Sequence, residues 1–121
     1  MTRFLSLALL LTLNLCAASR TWTGWFSDEK CARARANSGA YTATNADCAR
    51  RCIDGGAAVV FIAEQEKALY GVKNYAAAKD DLGYKIEITG TLDEQTQTLT
   101  VQSVKRLEVV GPSCSRPKLK R

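Results

Sequence analysis

Two segments near the C-terminus alternate strictly between polar and apolar residues. Residues 84–89 and 98–102 place an apolar side chain at every second position, which predicts two strands with one buried and one wet side. The polar residues 93–97 between them predict a turn, so the two strands form a hairpin. The alternation continues to Val109 after a change of register near Ser103.

The central part of the chain predicts another hairpin, and a further strand precedes it. Residues 57–63 form an unbroken apolar run of strand length, and the polar residues 64–67 separate it from a second strand at 68–72, as in a hairpin with a short loop. Residues 21–27 are aromatic and β-branched, which favours a strand. Gly24 interrupts their alternation and predicts a bend or a bulge.

Three short helices are predicted between these strands. Residues 31–36 are good helix formers. Residues 48–53 follow two candidate N-caps, Thr44 and Asn45, and end before a glycine pair, a common helix stop. The alanine-rich residues 74–82 predict the third helix.

These elements predict a mainly β fold. About five short strands with two or three short helices fit a small, disulfide-braced barrel of the OB type over residues 20–112, with a helix between the third and fourth strands. An open α+β sheet is the alternative.

The first residues predict a secretory signal peptide over 1–19. Arg3 precedes an apolar run and small residues follow it, and the run is shorter than the roughly 20 residues of a membrane span. We place cleavage after Ala18 or Ser19. Leu15 fits poorly before a lipidated cysteine, so Cys16 is expected to leave with the signal. The mature protein is therefore expected in the periplasm or outside the cell.

Charge and composition exclude several functions. The chain carries a formal charge of +5 and no histidine, so Ser-His and Cys-His catalysis is excluded. No glycine-rich phosphate loop is present. We expect no enzyme activity and no cofactor. Much of the basic charge lies in a C-terminal tail, residues 113–121, suited to weak contact with anionic surfaces, and we expect no nucleic-acid partner.

Four sequence segments resemble a known family. The segments are TGWFSDEKC, CARRC, GAAVVFI and LGYKIEITGTLDEQTQTLTVQSVKRLE. They resemble small exported bacterial OB-fold-like proteins of uncharacterised function, and the resemblance covers nearly all of the mature chain. That family often carries a histidine shortly after its first cysteine. Residues 32–36 contain none, so a histidine-dependent metal role does not carry over.

Four cysteines follow the signal: Cys31, Cys48, Cys52 and Cys114. In a small exported domain they predict disulfides. Cys48 and Cys52 lie four apart on one helix, a geometry that rarely closes. We favour Cys31–Cys52 with Cys48–Cys114 over the swapped pairing. The alternative is a thiol-based redox or soft-metal site, in which Cys31, Cys48 and Cys52 hold Cu(I) or Zn²⁺.

The function expected from these features is an exported, non-catalytic binding or structural module. Its ligand would be a protein, an envelope polymer or a small molecule. By analogy with the fold, the ligand face would lie near the helix that carries Arg50 and Arg51 and near the loops 64–67 and 93–97. Four arginines are its candidate residues: Arg33, Arg35, Arg50 and Arg51.

Overall fold

The computed structural model describes residues 18–108. Most of the predicted signal peptide, the basic tail and Cys114 lie outside these residues, so the predictions made for them stay predictions. The described chain forms five strands, two α-helices and one 3₁₀ helix. In chain order they are β1 (Arg20–Asp28), α1 (Glu29–Asn37), α2 (Ala46–Asp54), β2 (Val59–Ala63), β3 (Ala68–Val72), the 3₁₀ helix (Tyr75–Asp81), β4 (Lys85–Asp93) and β5 (Thr98–Glu108).

The five strands form one sheet that closes on itself in a ring. The order around the ring is β1-β2-β3-β5-β4, and β1 pairs with β4 to complete it. All neighbours are antiparallel except β3 and β5, which run parallel through Gly71↔Thr98 and Val72↔Leu99. The predicted mainly β fold with five strands and both hairpins is confirmed, and the open sheet considered as an alternative is not formed.

Gly24 is the residue at which β1 changes partner. It pairs with Ile86 of β4 on one side and with Ala63 of β2 on the other. The register of β1 is unbroken against both strands, so the predicted irregularity is a change of partner and not a bulge. Register shifts occur between β4 and β5 instead. One of them lies opposite Ser103, where the sequence predicts it.

The ring encloses the main core, and a second core lies outside it. The interior is filled by large side chains, chiefly Trp22, Phe26, Phe61, Ile86, Ile88 and Leu99. The second core consists of Trp25, Ala32, Val60 and Ile62, with Tyr41, Ala43 and Leu69 packed against it. Because β2 contributes to both cores, both of its faces are buried, which explains its continuous apolar sequence.

Both α-helices begin at side-chain caps. Asp28 accepts a hydrogen bond from the backbone N–H of Cys31 and caps α1, and Asn45 accepts one from Cys48 and caps α2. Of the two candidates for the second cap, Asn45 is therefore the one used. Thr44 instead forms a hydroxyl–hydroxyl hydrogen bond with the buried Ser27. The segment predicted as a third helix adopts 3₁₀ geometry.

Candidate functional site

A buried carboxylate lies where β1 ends and α1 begins. Asp28 is the last residue of β1, and its side chain is 0% exposed. Its Oδ2 accepts the hydrogen bond from the Cys31 backbone N–H at 3.0 Å. Its Oδ1 is buried and has no hydrogen-bond partner among the described residues. Such a group is costly unless something pairs with it.

Two thiols adjoin this carboxylate. One carboxylate oxygen of Asp28 and the sulfurs of Cys31 and Cys52 all lie within 4.8 Å of one another. We call these three residues the thiol–carboxylate cluster. They come from the end of β1, the first turn of α1 and the second half of α2. A hydrogen bond of 2.9 Å from the Glu29 N–H to the Ala58 carbonyl oxygen helps fix this junction.

The environment keeps the Cys31 thiol protonated at neutral pH. Hydrogen bonding to Asp28 is the main cause, and burial and the negative charge of Asp28 add to it; together they raise the Cys31 pKa from 9.0 to about 11. The thiolate is the reactive form of cysteine. Cys31 is therefore a poor nucleophile in the metal-free, reduced protein.

We expect Asp28→Asn to make Cys31 more reactive. The amide can still cap α1, but it removes the negative charge that raises the pKa. Burial still raises the pKa in the variant, so a full return from about 11 to 9.0, which would increase the thiolate fraction about a hundredfold at pH 8, is the upper limit. The thiolate of lower pKa is intrinsically less nucleophilic, which leaves a gain of at most about tenfold. The rate of modification by a disulfide reagent, followed by peptide mass mapping against pH, measures it.

Cys48 is the internal reference for this measurement, because it lies outside the thiol–carboxylate cluster. In the native protein the Cys31 rate should keep rising until the pH reaches about 11. In Asp28→Asn it should level off at lower pH. Equal Cys31 rates in the two proteins would contradict the assignment of Asp28 as the cause.

The structure arranges the cysteines differently from the predicted set. Cys31, Cys48 and Cys52 are free thiols, so the Cys31–Cys52 disulfide is not formed. The two sulfurs lie within 4.8 Å of each other, but they are not at the roughly 2.05 Å of a disulfide bond. Cys48 accepts a hydrogen bond from Arg51 at 3.5 Å. The predicted Cys48–Cys114 pair involves a cysteine outside the described residues.

Asp28 is the site residue that the sequence analysis misses. An aspartate before a helical segment is ordinarily a turn or cap residue, and Asp28 is indeed a cap. The sequence feature that could identify Asp28 as a site residue is its position three residues before Cys31. A cap residue bonds to the backbone three positions later, which brings the Asp28 carboxylate beside residue 31.

An open groove of about 700 Å³ lies next to the thiol–carboxylate cluster. We call it the helix groove. One wall is the exposed side of α1, and the other is the end of α2 with the connection to β2. Cys52 belongs to both the groove and the cluster. The lining residues are Glu29, Lys30, Arg33, Ala34, Asn37, Cys52, Gly55, Ala57 and Ala58.

A smaller depression of about 230 Å³ continues this surface onto the sheet. We call it the sheet groove. It shares three residues with the helix groove, and it extends across β2 and β3 to the turn between β4 and β5. Its lining residues are Glu29, Arg33, Ala58, Val59, Val60, Leu69, Gly71, Thr96 and Gln97. Of the two predicted ligand loops, residues 93–97 contribute to this surface and residues 64–67 line neither groove.

The four candidate arginines contact different partners, and Arg50 has two, one of which is Asp47 at 3.9 Å. Arg33 pairs with Glu29 at 2.6 Å and lines both grooves. Arg35 donates to Thr42, and Arg51 donates to Cys48. Arg50 donates to the carbonyl oxygen of Lys79 in the 3₁₀ helix. Only Arg33 of the four therefore lies on the groove surface.

Comparison with protein-family models, with curated proteins and with solved structures finds no match. The resemblance to small exported bacterial proteins therefore stays a prediction. Within residues 18–108, no helix has both the length and the apolar character required to cross a membrane.

Proposed function

We propose that this chain is an exported, non-catalytic binding module with an OB-like barrel. Support for the fold comes from the closed five-stranded ring, the parallel β3–β5 pair and the helical segment between β3 and β4. OB folds bind ligands on the face of their second and third strands, between the loops that follow strands 1 and 4.

The sheet groove carries this proposal, because it occupies that position. Val60 and Leu69 come from strands β2 and β3, Arg33 comes from the connection after β1, and Thr96 and Gln97 come from the turn after β4. The site is therefore assembled from the elements that an OB-like module uses for binding. Because one fold can bind many different ligands, the chemistry of the lining residues decides which ligand fits.

The lining favours a polar ligand rich in hydroxyl groups. Thr96 and Gln97 offer a hydroxyl and an amide, and the Arg33–Glu29 pair offers both donors and acceptors with no net charge. Leu69 adds a small apolar surface. A short segment of an envelope glycan has this mixture of hydroxyl groups and apolar ring faces. We therefore propose an envelope polymer as the partner, ahead of a protein or a small molecule.

The non-catalytic role is supported by the chemistry of the candidate residues. The chain contains no histidine to act as a base, and the Cys31 pKa of about 11 keeps that thiol protonated. Neither groove includes Ser27, the buried serine, which bonds to Thr44. The absence of histidine from the sequence thus supports binding rather than nucleophilic catalysis at these grooves.

Titration of the ¹⁵N-labelled full chain with chitotetraose, a soluble glycan probe, tests the proposal. We expect chemical-shift changes centred on Leu69, Gly71, Thr96 and Gln97. Thr96→Ala and Arg33→Ala should each weaken binding about three- to tenfold, the loss of one hydrogen bond. Lys105→Ala is the control, since Lys105 is exposed and lines neither groove.

Two results would contradict the proposal. One is the absence of any shift change at about 10 mM probe, a concentration that detects even millimolar affinity. The other is a set of shift changes confined to α2 and the 3₁₀ helix, neither of which lines the sheet groove.

A further inference from the structure

We propose that Asp28, Cys31 and Cys52 form a Zn²⁺ site, with two thiolate sulfurs and the carboxylate Oδ1 as protein ligands. A carboxylate oxygen of Asp28 and the sulfurs of Cys31 and Cys52 already lie within 4.8 Å of one another. Cys52 also lines the helix groove, so a fourth ligand, water or a bound molecule, can reach the ion from that side. The site is separate from the sheet groove, which contains none of the three residues.

The unpartnered oxygen of Asp28 is the observation that points to a cation. The side chain is 0% exposed, one oxygen caps α1, and the other has no hydrogen-bond partner among the residues that the structure describes. Within residues 18–108, no lysine or arginine forms an ion pair with Asp28. A buried carboxylate needs a compensating charge or hydrogen bonds. A divalent ion between Asp28 and the two sulfurs would supply that charge.

The spacing of the ligand atoms suits a tetrahedral ion. With Zn–S bonds of about 2.3 Å and Zn–O bonds of about 2.0–2.2 Å, neighbouring ligand atoms lie about 3.3–3.8 Å apart. Separations within 4.8 Å can reach these values by small side-chain rotations. The cap hydrogen bond from the Cys31 N–H holds one carboxylate oxygen, which fixes the orientation of the ligand oxygen as an outer-shell contact does.

The donor set selects the class of metal. Ca²⁺ and Mg²⁺ prefer oxygen ligands throughout, and Cu(I) prefers sulfur alone. Two thiolates with one carboxylate suit Zn²⁺, which accepts both donor types. This set differs from the three thiols that the sequence suggests, because Cys48 lies outside the cluster and Asp28 takes its place. Binding replaces the two thiol protons, which are released to solvent.

Metal titration of the reduced full chain tests the site. The protein is held anaerobically with a phosphine reductant and titrated with Zn²⁺ against a chromophoric chelator, and Co²⁺ is used as a spectroscopic substitute. We expect one ion per chain, about two protons released, and sulfur-to-Co²⁺ charge-transfer absorption with the intense visible bands of a tetrahedral ion. Circular dichroism of every variant verifies that it is folded.

The variants separate this site from its alternatives. Cys31→Ser and Cys52→Ser should each weaken Zn²⁺ binding at least about a hundredfold, and Asp28→Asn at least about tenfold while keeping the helix cap. Cys48→Ser is the matched control, a cysteine on the same helix as Cys52, and should bind normally. If Cys31→Ser does not fold, Cys52→Ser and Asp28→Asn still decide the question.

Three outcomes would overturn the proposal. They are the absence of Zn²⁺ binding by the folded, reduced chain, normal binding by Asp28→Asn together with loss in Cys48→Ser, and recovery of the secreted protein with a Cys31–Cys52 disulfide that excludes the ion. None of these outcomes bears on glycan binding, because the sheet groove contains none of the three metal ligands. In the same way, Thr96→Ala tests glycan binding and leaves all three metal ligands intact.

Discussion

Gly24→Ala is expected to destabilise the protein by more than about 3 kcal/mol, a cost set by overpacking against backbone that cannot move aside. A Cβ atom at this position would lie 1.8 Å from the carbonyl oxygen of Ile62 and 2.9 Å from the Phe61 ring. Both belong to β2, the strand paired with β1 at this point. This steric overlap is relieved only if β1 and β2 move apart. That movement breaks their hydrogen bonds at the point where β1 changes partner.

Urea unfolding followed by tryptophan fluorescence measures this loss, and Gly71→Ala provides the matched control. Gly71 also lies within a strand of the ring, but the nearest atom to its added Cβ is 3.7 Å away. That variant should be neutral or slightly stabilising, because glycine in a strand costs entropy. A Gly24→Ala protein as stable as Gly71→Ala would show that β1 and β2 are farther apart than described.

Phe61→Ala is expected to cost about 3–5 kcal/mol, the range for a phenylalanine truncated in a closed core. Its side chain is 0% exposed, and its ring packs edge-on against Phe26 with the centroids 5.8 Å apart. The neighbours belong to strands fixed on both sides in the ring, so they cannot collapse into the space that is left. A domain of this size has only about 5–15 kcal/mol of stability.

Two comparison variants make this result specific. Phe61→Leu keeps most of the buried volume and should cost less than Phe61→Ala in the same urea experiment. Leu107→Ala removes a large apolar side chain that is 42% exposed on β5, and it should change stability by no more than about 0.5 kcal/mol. Similar losses for Phe61→Ala and Leu107→Ala would contradict the assignment of the core.

The strands were predictable because each carries a clear pattern. β4 alternates polar and apolar residues, and β2 is apolar throughout because α1 covers the side that does not face the ring interior. The role of Gly24 was not predictable. Gly24 lies on the same face of β1 as Trp22 and Phe26, and the need for glycine there comes from β2, a strand distant in sequence.

The candidate site was predictable only in part. The three cysteines indicate thiol chemistry, but their spacing alone does not show that Cys31 lies beside Cys52 while Cys48 lies outside the cluster. Asp28 enters the site because β1 buries it as α1 begins, a tertiary effect that local sequence does not encode. The four arginines were grouped because they are close in the sequence. The direction in which each side chain leaves α1 or α2 decides which residue it contacts.

The pairing of β1 with β4 also bears on how the chain can fold. Arg20, the first residue of β1, pairs with Gly90 of β4, and β3 pairs with β5 from Thr98 onward. Closing such long loops must precede most of the stabilising contacts, which makes folding slow relative to helical domains. A polypeptide still emerging from the ribosome therefore has no closed structure available until β5 is synthesised.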